Sequence, residues 1–136
     1  MITILQKNQQ NALSIIRIMV GLLMIYHGWE VFDSQLLTEY SRWDQFKTFS
    51  NPQLIVTVGK AIELISGLSL AMGLFARFGA ILLIMSMLFI TFMVGKGQFW
   101  YADQHPFLLF LLGILYLFFG AGRFSIDQNL KKNENS

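Results

Sequence analysis

The chain has 136 residues, a formal net charge of +2, 54% hydrophobic residues and only 13% charged ones, with a mean hydropathy of +0.53. Those values exclude an ordinary soluble domain, in which about 25% of residues carry charge, and the scattered basic residues give no nucleic-acid interface. The absence of cysteine removes disulfides, thiol relays, iron–sulfur clusters and thiolate metal sites.

Apolar stretches fill most of the sequence, at Ala12–Phe32, Leu54–Leu74, Phe78–Gly95 and Pro106–Ala121. Each is about as long as a helix needs to cross ~30 Å of hydrocarbon. They predict an all-α, polytopic membrane protein: a four-transmembrane-helix bundle formed by a single domain, 1–136. Residues 1–11 are polar and rich in Gln and Asn, which suggests a short interfacial lead-in. No small-residue cleavage site follows the first stretch, so it reads as a retained span and not a signal peptide.

Residues 33–53 form the longest polar connection. Phe46 and Phe49 follow Trp43 at helical spacing, which predicts a short interfacial helix in this first outer loop, apolar side toward the bilayer. Asn51-Pro52 ends the loop and starts the second span, since proline is tolerated in a first turn. Phe75-Ala76-Arg77, flanked by Gly73 and Gly79, makes spans two and three an antiparallel hairpin. Phe99, Trp100 and Tyr101 form an aromatic belt in the second outer loop. Pro106 opens the fourth span, and Gly120 and Gly122 close it. Ser125 and Gln128 have capping-box spacing, so a short terminal helix begins there.

Orientation follows from the basic residues. Lys7, Arg77, Arg123, Lys131 and Lys132 lie on the side of the termini. The opposite loops carry Arg42, Lys47 and Lys96 against Asp33, Glu39, Asp44 and Asp103. The positive-inside rule then places both termini in the cytoplasm of a cell (inner) membrane.

Charged residues inside apolar spans carry the functional expectation, because an ion in lipid costs at least ~2.5–3.5 kcal/mol and needs a partner, a wet cavity or a role. His27 and Glu30 share one face of the first span, and Lys60 and Glu63 share one face of the second. In antiparallel spans all of them fall in the outer half. The economical arrangement turns the faces together, with Lys60 between the two carboxylates and His27 near Glu63. Such a cluster either locks two helices in register or lines a small polar cavity that binds a proton or a polar headgroup.

Arg17 falls in the inner half, where it either snorkels to the headgroups or pairs with a residue such as Asp127. Gly21, Gly28, Gly59, Ser66, Gly67 and Gly73 are packing positions that let membrane helices approach closely. The Met- and Phe-rich third span faces lipid or fills the core. Haem ligation by His27 and His105 would need matching depth on facing helices, and His105 stands at the very mouth of the fourth span. No metal-ligand spacing, nucleophile–base set or phosphate loop occurs.

The order Arg17-x3-Gly21, His27-Gly28, Glu63-x3-Gly67-x2-Leu70-x2-Gly73-x3-Arg77, Pro106 and Gly120-Ala121-Gly122-Arg123-Phe124-Ser125-Ile126-Asp127 resembles the DoxX family of four-helix membrane proteins. Many relatives carry a lysine shortly after the His-Gly pair. This chain has Glu30 there and Lys60 in the facing helix, a swapped pair consistent with direct Glu30–Lys60 contact. The resemblance makes Arg17, Gly28, Gly67, Gly73, Arg77, Gly122, Arg123, Ser125 and Asp127 structural motif positions. It also implies a link to redox assemblies, since the family takes its name from a membrane subunit linked to thiosulfate:quinone oxidoreduction.

The chain has no redox group of its own, so electron transfer would need a bound quinone or a partner. The expected function is therefore an accessory or anchor subunit of a redox-linked, quinone-associated membrane assembly, not catalytic alone. Its binding residues would be His27, Glu30, Lys60 and Glu63, and its partners the lipid bilayer and a membrane or peripheral redox protein. The alternatives are a small protein binding or transporting a proton or solute, and a purely structural scaffold.

Overall fold

A computed structural model describes residues 3–134. The helices are α1 (Ile4–Gly28), α2 (Ser34–Ser41), α3 (Pro52–Met72), α4 (Ala76–Phe89), α5 (Gln104–Phe119) and α6 (Ile126–Glu134). Among the described residues there is no strand. The chain is an all-α polytopic membrane protein. Among the described residues, three helical stretches are long and apolar enough to cross a bilayer: Ile4–Phe32, Pro52–Met72 and Ala76–Val94. The apolar α5 is shorter, at 16 residues.

The helices pack in sequence order, α1 on α3, α3 on α4 and α4 on α5. The first interface is a backbone contact. A methyl group at Gly21 would run into the Ala71 backbone and the Gly67 carbonyl, and one at Gly28 into the Leu64 backbone. Without a strong hydrophobic drive between helices in lipid, such close approach supplies the packing. The core behind it consists of Val20, Met24, Leu70, Ala80, Leu83, Met87, Leu109 and Tyr116. Large apolar side chains such as Ile15, Met19, Leu22, Ile65, Met85 and Leu111 point outward, as lipid-facing residues do.

Several boundaries differ from the sequence reading. The predicted lead-in at 1–11 is helical from Ile4 and continuous with the first span. Thr3 and Gln6 form a reciprocal capping box there, while residues 1 and 2 lie outside the described residues. The loop α-helix forms at Ser34–Ser41, because Asp33 accepts from the Gln35 and Leu36 amides and starts it early, and residues 43–49 hold only a 3₁₀ turn at Asp44–Phe46. Phe46 then turns inward and is buried with Leu37 and Val56. The hairpin link is Gly73–Phe75 and not Phe75–Arg77. Gly73 ends α3 with φ 65°, a left-handed conformation that glycine adopts without a Cβ penalty. Asp127 then caps α4 by accepting from the Phe75 and Ala76 amides at 2.8 and 3.0 Å. α4 ends in a π-turn at Ile90–Val94.

Arg17 neither snorkels nor forms an ion pair with Asp127. It is fully buried and donates through Nη1 to the Ala121 carbonyl and through Nη2 to the Phe124 carbonyl. Gly122 lies against Ser14, whose hydroxyl accepts from the Phe124 amide at 3.2 Å. Ser125 donates to the Gly122 carbonyl at 2.8 Å and accepts from the Gln128 amide at 3.2 Å, so it caps α6. The segment after α5 is thus clamped to the start of the bundle, with Arg123 exposed. This defines two ends of the molecule, a terminal end at α6 and a lid end at α2.

Candidate functional site

The lid end holds a cavity of about 310 Å³, near the lower limit of ligand pockets, which run from roughly 300 Å³ upward. Its polar wall comes from the end of α1, the turn after it and the first half of α3. His27 occupies the last turn of α1. Glu30 follows in a short 3₁₀ turn, Trp29–Phe32. Lys60 and Glu63, one turn apart on α3, face them. The rest of the lining is apolar: Phe46, Phe89, Ile90 and Val94, with Ile55 and Val56 on α3 itself ahead of Lys60, and Tyr40 and Trp43 from the loop.

Lys60 stands between both carboxylates. Its Nζ is 2.9 Å from Glu30 Oε2 and 3.1 Å from Glu63 Oε2, with side-chain exposures of 16%, 24% and 6% for Lys60, Glu30 and Glu63. The Tyr40 hydroxyl donates to the same Glu30 oxygen at 3.2 Å, and the Tyr40 ring lies 5.5 Å below the ammonium, within cation–π range. Burial, reinforced by the Glu30 carboxylate, raises the Tyr40 pKa above its usual value. The phenol therefore stays protonated and continues to donate.

This arrangement limits what the site can bind. An ammonium has three N–H groups. Two engage carboxylates and the third faces an aromatic ring, so Lys60 has no strong donor to spare. The second oxygens of Glu30 and Glu63 remain as acceptors, and His27 supplies one donor or acceptor. Lys60 and the two carboxylates bring one positive and two negative charges to the cluster. A matching ligand brings hydroxyl or amine donors to the polar wall and an apolar ring to the rest of the lining. Gly59 faces the same space, and a Cβ added there would meet no atom within 4 Å, so the helix surface at this point is recessed.

The structure thus brings together His27, Glu30, Lys60 and Glu63. Tyr40 and Trp43 are additional members, supplied by the loop. His105 is another addition: its exposed ring packs edge-on against His27 with centroids 6.4 Å apart. The depth mismatch expected between the two histidines does not hold, because α5 begins at Gln104, ahead of the predicted Pro106, and carries His105 in its first turn. The remaining motif positions lie elsewhere. Gly28 and Gly67 are at the α1–α3 contact, and Arg17, Gly73, Arg77, Gly122, Arg123, Ser125 and Asp127 are at the terminal end. No group of three or more metal-ligating side chains occurs among the described residues.

The DoxX family model matches residues 12–96, more than half of the chain. The match includes the polar wall and the lid, and stops before α5 and the terminal clamp. No curated protein and no solved structure matches the chain.

Proposed function

Since the chain belongs to the DoxX family, we propose that it is a membrane-embedded accessory subunit of a redox-linked assembly whose lid cavity holds the headgroup of a membrane-soluble quinol. The observation that carries this reading is the pairing of spare carboxylate oxygens with an aliphatic and aromatic lining in one cavity. Two hydroxyls on an apolar ring fit that pairing. A quinone offers only carbonyl acceptors, and it would face a lysine already committed to Glu30 and Glu63.

The quinol, when bound, supplies the two-electron chemistry that this chain lacks, and the electron acceptor belongs to a partner. The chain's own residues orient the headgroup: Glu30 and Glu63 accept, His27 donates or accepts, and Trp43 and Tyr40 shield it from water. In this reading α5 is the fourth span, residues 1–136 form one domain, and the termini face the cytoplasm across the cell membrane. The excess of basic residues at the terminal end supports that orientation. Transport of a proton or solute is less well supported, because Arg17, the charged residue inside the first span at the other end, is buried with its terminal nitrogens committed to backbone carbonyls.

The test uses the recess at Gly59. Gly59→Leu fills open space and replaces the residue that costs a helix about 1 kcal/mol, so thermal stability in detergent holds or rises. Binding of a short-chain benzoquinol, read by Trp43 fluorescence in lipid nanodiscs with the other tryptophans changed to Phe, should weaken by at least ~tenfold. The oxidised quinone should bind more weakly than the quinol to the unmodified protein. If Gly59→Leu leaves quinol binding intact, or quinone binds as well as quinol, the cavity is not the site. A purely structural cluster gives no quinol binding in either protein.

A further inference from the structure

At the terminal end, far from the lid cavity, a groove of about 570 Å³ runs between the start of α4, the end of α5 and α6. Arg77 and Lys131 line it, and both are exposed. Among the described residues neither has an ion-pair partner. The acidic groups in the same groove are Asp127 and Glu134. Both Asp127 oxygens are held by the Phe75 and Ala76 amides, and Glu134 is one turn beyond Lys131, in the last turn of α6. Arg123 and Lys132 lie close by and line an adjoining depression with Lys131. Next to these cations Phe78 and Phe119 project from the spans, exposed on the outside of the bundle. Leu130 and Ile126 give α6 an apolar edge.

We propose that this groove binds an anionic phospholipid, its phosphate held between Arg77 and Lys131 and an acyl chain laid along Phe78 and Phe119. Unpaired cations beside outward-facing aromatics are what a phosphate joined to a hydrocarbon chain complements. A free phosphate would use the cations and leave the aromatics without a role. A zwitterionic headgroup carries its own ammonium and gains less from the two cations. Basic clusters next to a span attract anionic lipid, with each Lys or Arg strengthening the attraction roughly fivefold. The site is independent of what the lid cavity binds.

The test uses the full chain, delipidated in an uncharged detergent, with native mass spectrometry and thermal unfolding as readouts. Phosphatidylglycerol should be retained and should raise the unfolding midpoint, while phosphatidylcholine and millimolar inorganic phosphate should do neither. The Arg77→Gln/Lys131→Gln double variant should bind phosphatidylglycerol roughly thirtyfold more weakly, and Arg77→Lys should keep most of the affinity. Lys131→Gln alone, on the surface of α6, should weaken binding roughly fivefold without disturbing the hairpin. Retention of phosphatidylglycerol by the double and single variants at the unmodified level overturns the proposal. So does equal protection by phosphatidylcholine or by inorganic phosphate.

Discussion

Lys60→Met should lower stability by about 3 kcal/mol, because it leaves Glu63 and Glu30 facing one another without their shared counter-ion. The two carboxylates approach the ammonium at 3.1 and 2.9 Å, and Glu63 is only 6% exposed at its side chain. A buried carboxylate stripped of its partner must either remain charged in a poor solvent or take up a proton, and both cost free energy. Adding Glu63→Gln to Lys60→Met should recover most of the loss, since the deepest charge is then gone. Glu30 keeps the Tyr40 hydroxyl as a donor and is 24% exposed. Thermal unfolding of the purified protein in a neutral detergent provides the measurement. An unchanged midpoint for Lys60→Met would mean that the triad contributes nothing to holding α1 against α3.

Arg17→Leu should cost about 4 kcal/mol. The substitution deserts the Ala121 and Phe124 carbonyls together, and each buried acceptor left unmade costs roughly 1–3 kcal/mol. Arg17→Lys should recover only part, because an ammonium is a single point of donors and cannot span the positions that a guanidinium fork reaches. The loss should be local before it is global. Limited proteolysis of Arg17→Leu should cut within 120–134 at temperatures where α1–α5 remain folded. Proteolysis no faster than in the unmodified protein would show that Ser14, Ser125 and Asp127 hold the clamp without the arginine.

The polar wall was legible because ions in hydrocarbon allow few arrangements. Two i,i+3 pairs on antiparallel spans leave little choice except to face one another, and Lys60 does stand between Glu30 and Glu63. The lid was less legible. The aromatic spacing of Trp43, Phe46 and Phe49 suggested an α-helix, yet those residues follow α2 around a single 3₁₀ turn, with Phe46 buried and Trp43 exposed. Asp33 before Ser34 was the better indicator, a side-chain cap ahead of Leu36 and Leu37. Tyr40 followed from that helix and had no independent mark in the sequence.

His105 was misplaced by counting depth from the proline, when the helix starts two residues earlier. The partners of Arg17 could not be read at all. They are backbone carbonyls, which every residue has, and only the turn at Gly120–Gly122 aims them inward. Asp127 looked like a counter-charge and is instead the cap of a distant helix.

The clamp also imposes an order on biogenesis. Arg17 meets acceptors 104 and 107 positions further along, so it leaves the ribosome long before they exist. Until they arrive, the nascent first span must keep its guanidinium in water or among headgroups. Docking of the last segment is therefore what draws Arg17 into the interior. Until that happens α1 can sit lower or higher in the bilayer, and the register between α1 and α3, with the cavity that depends on it, becomes fixed only once residues 121–124 have been made and have docked.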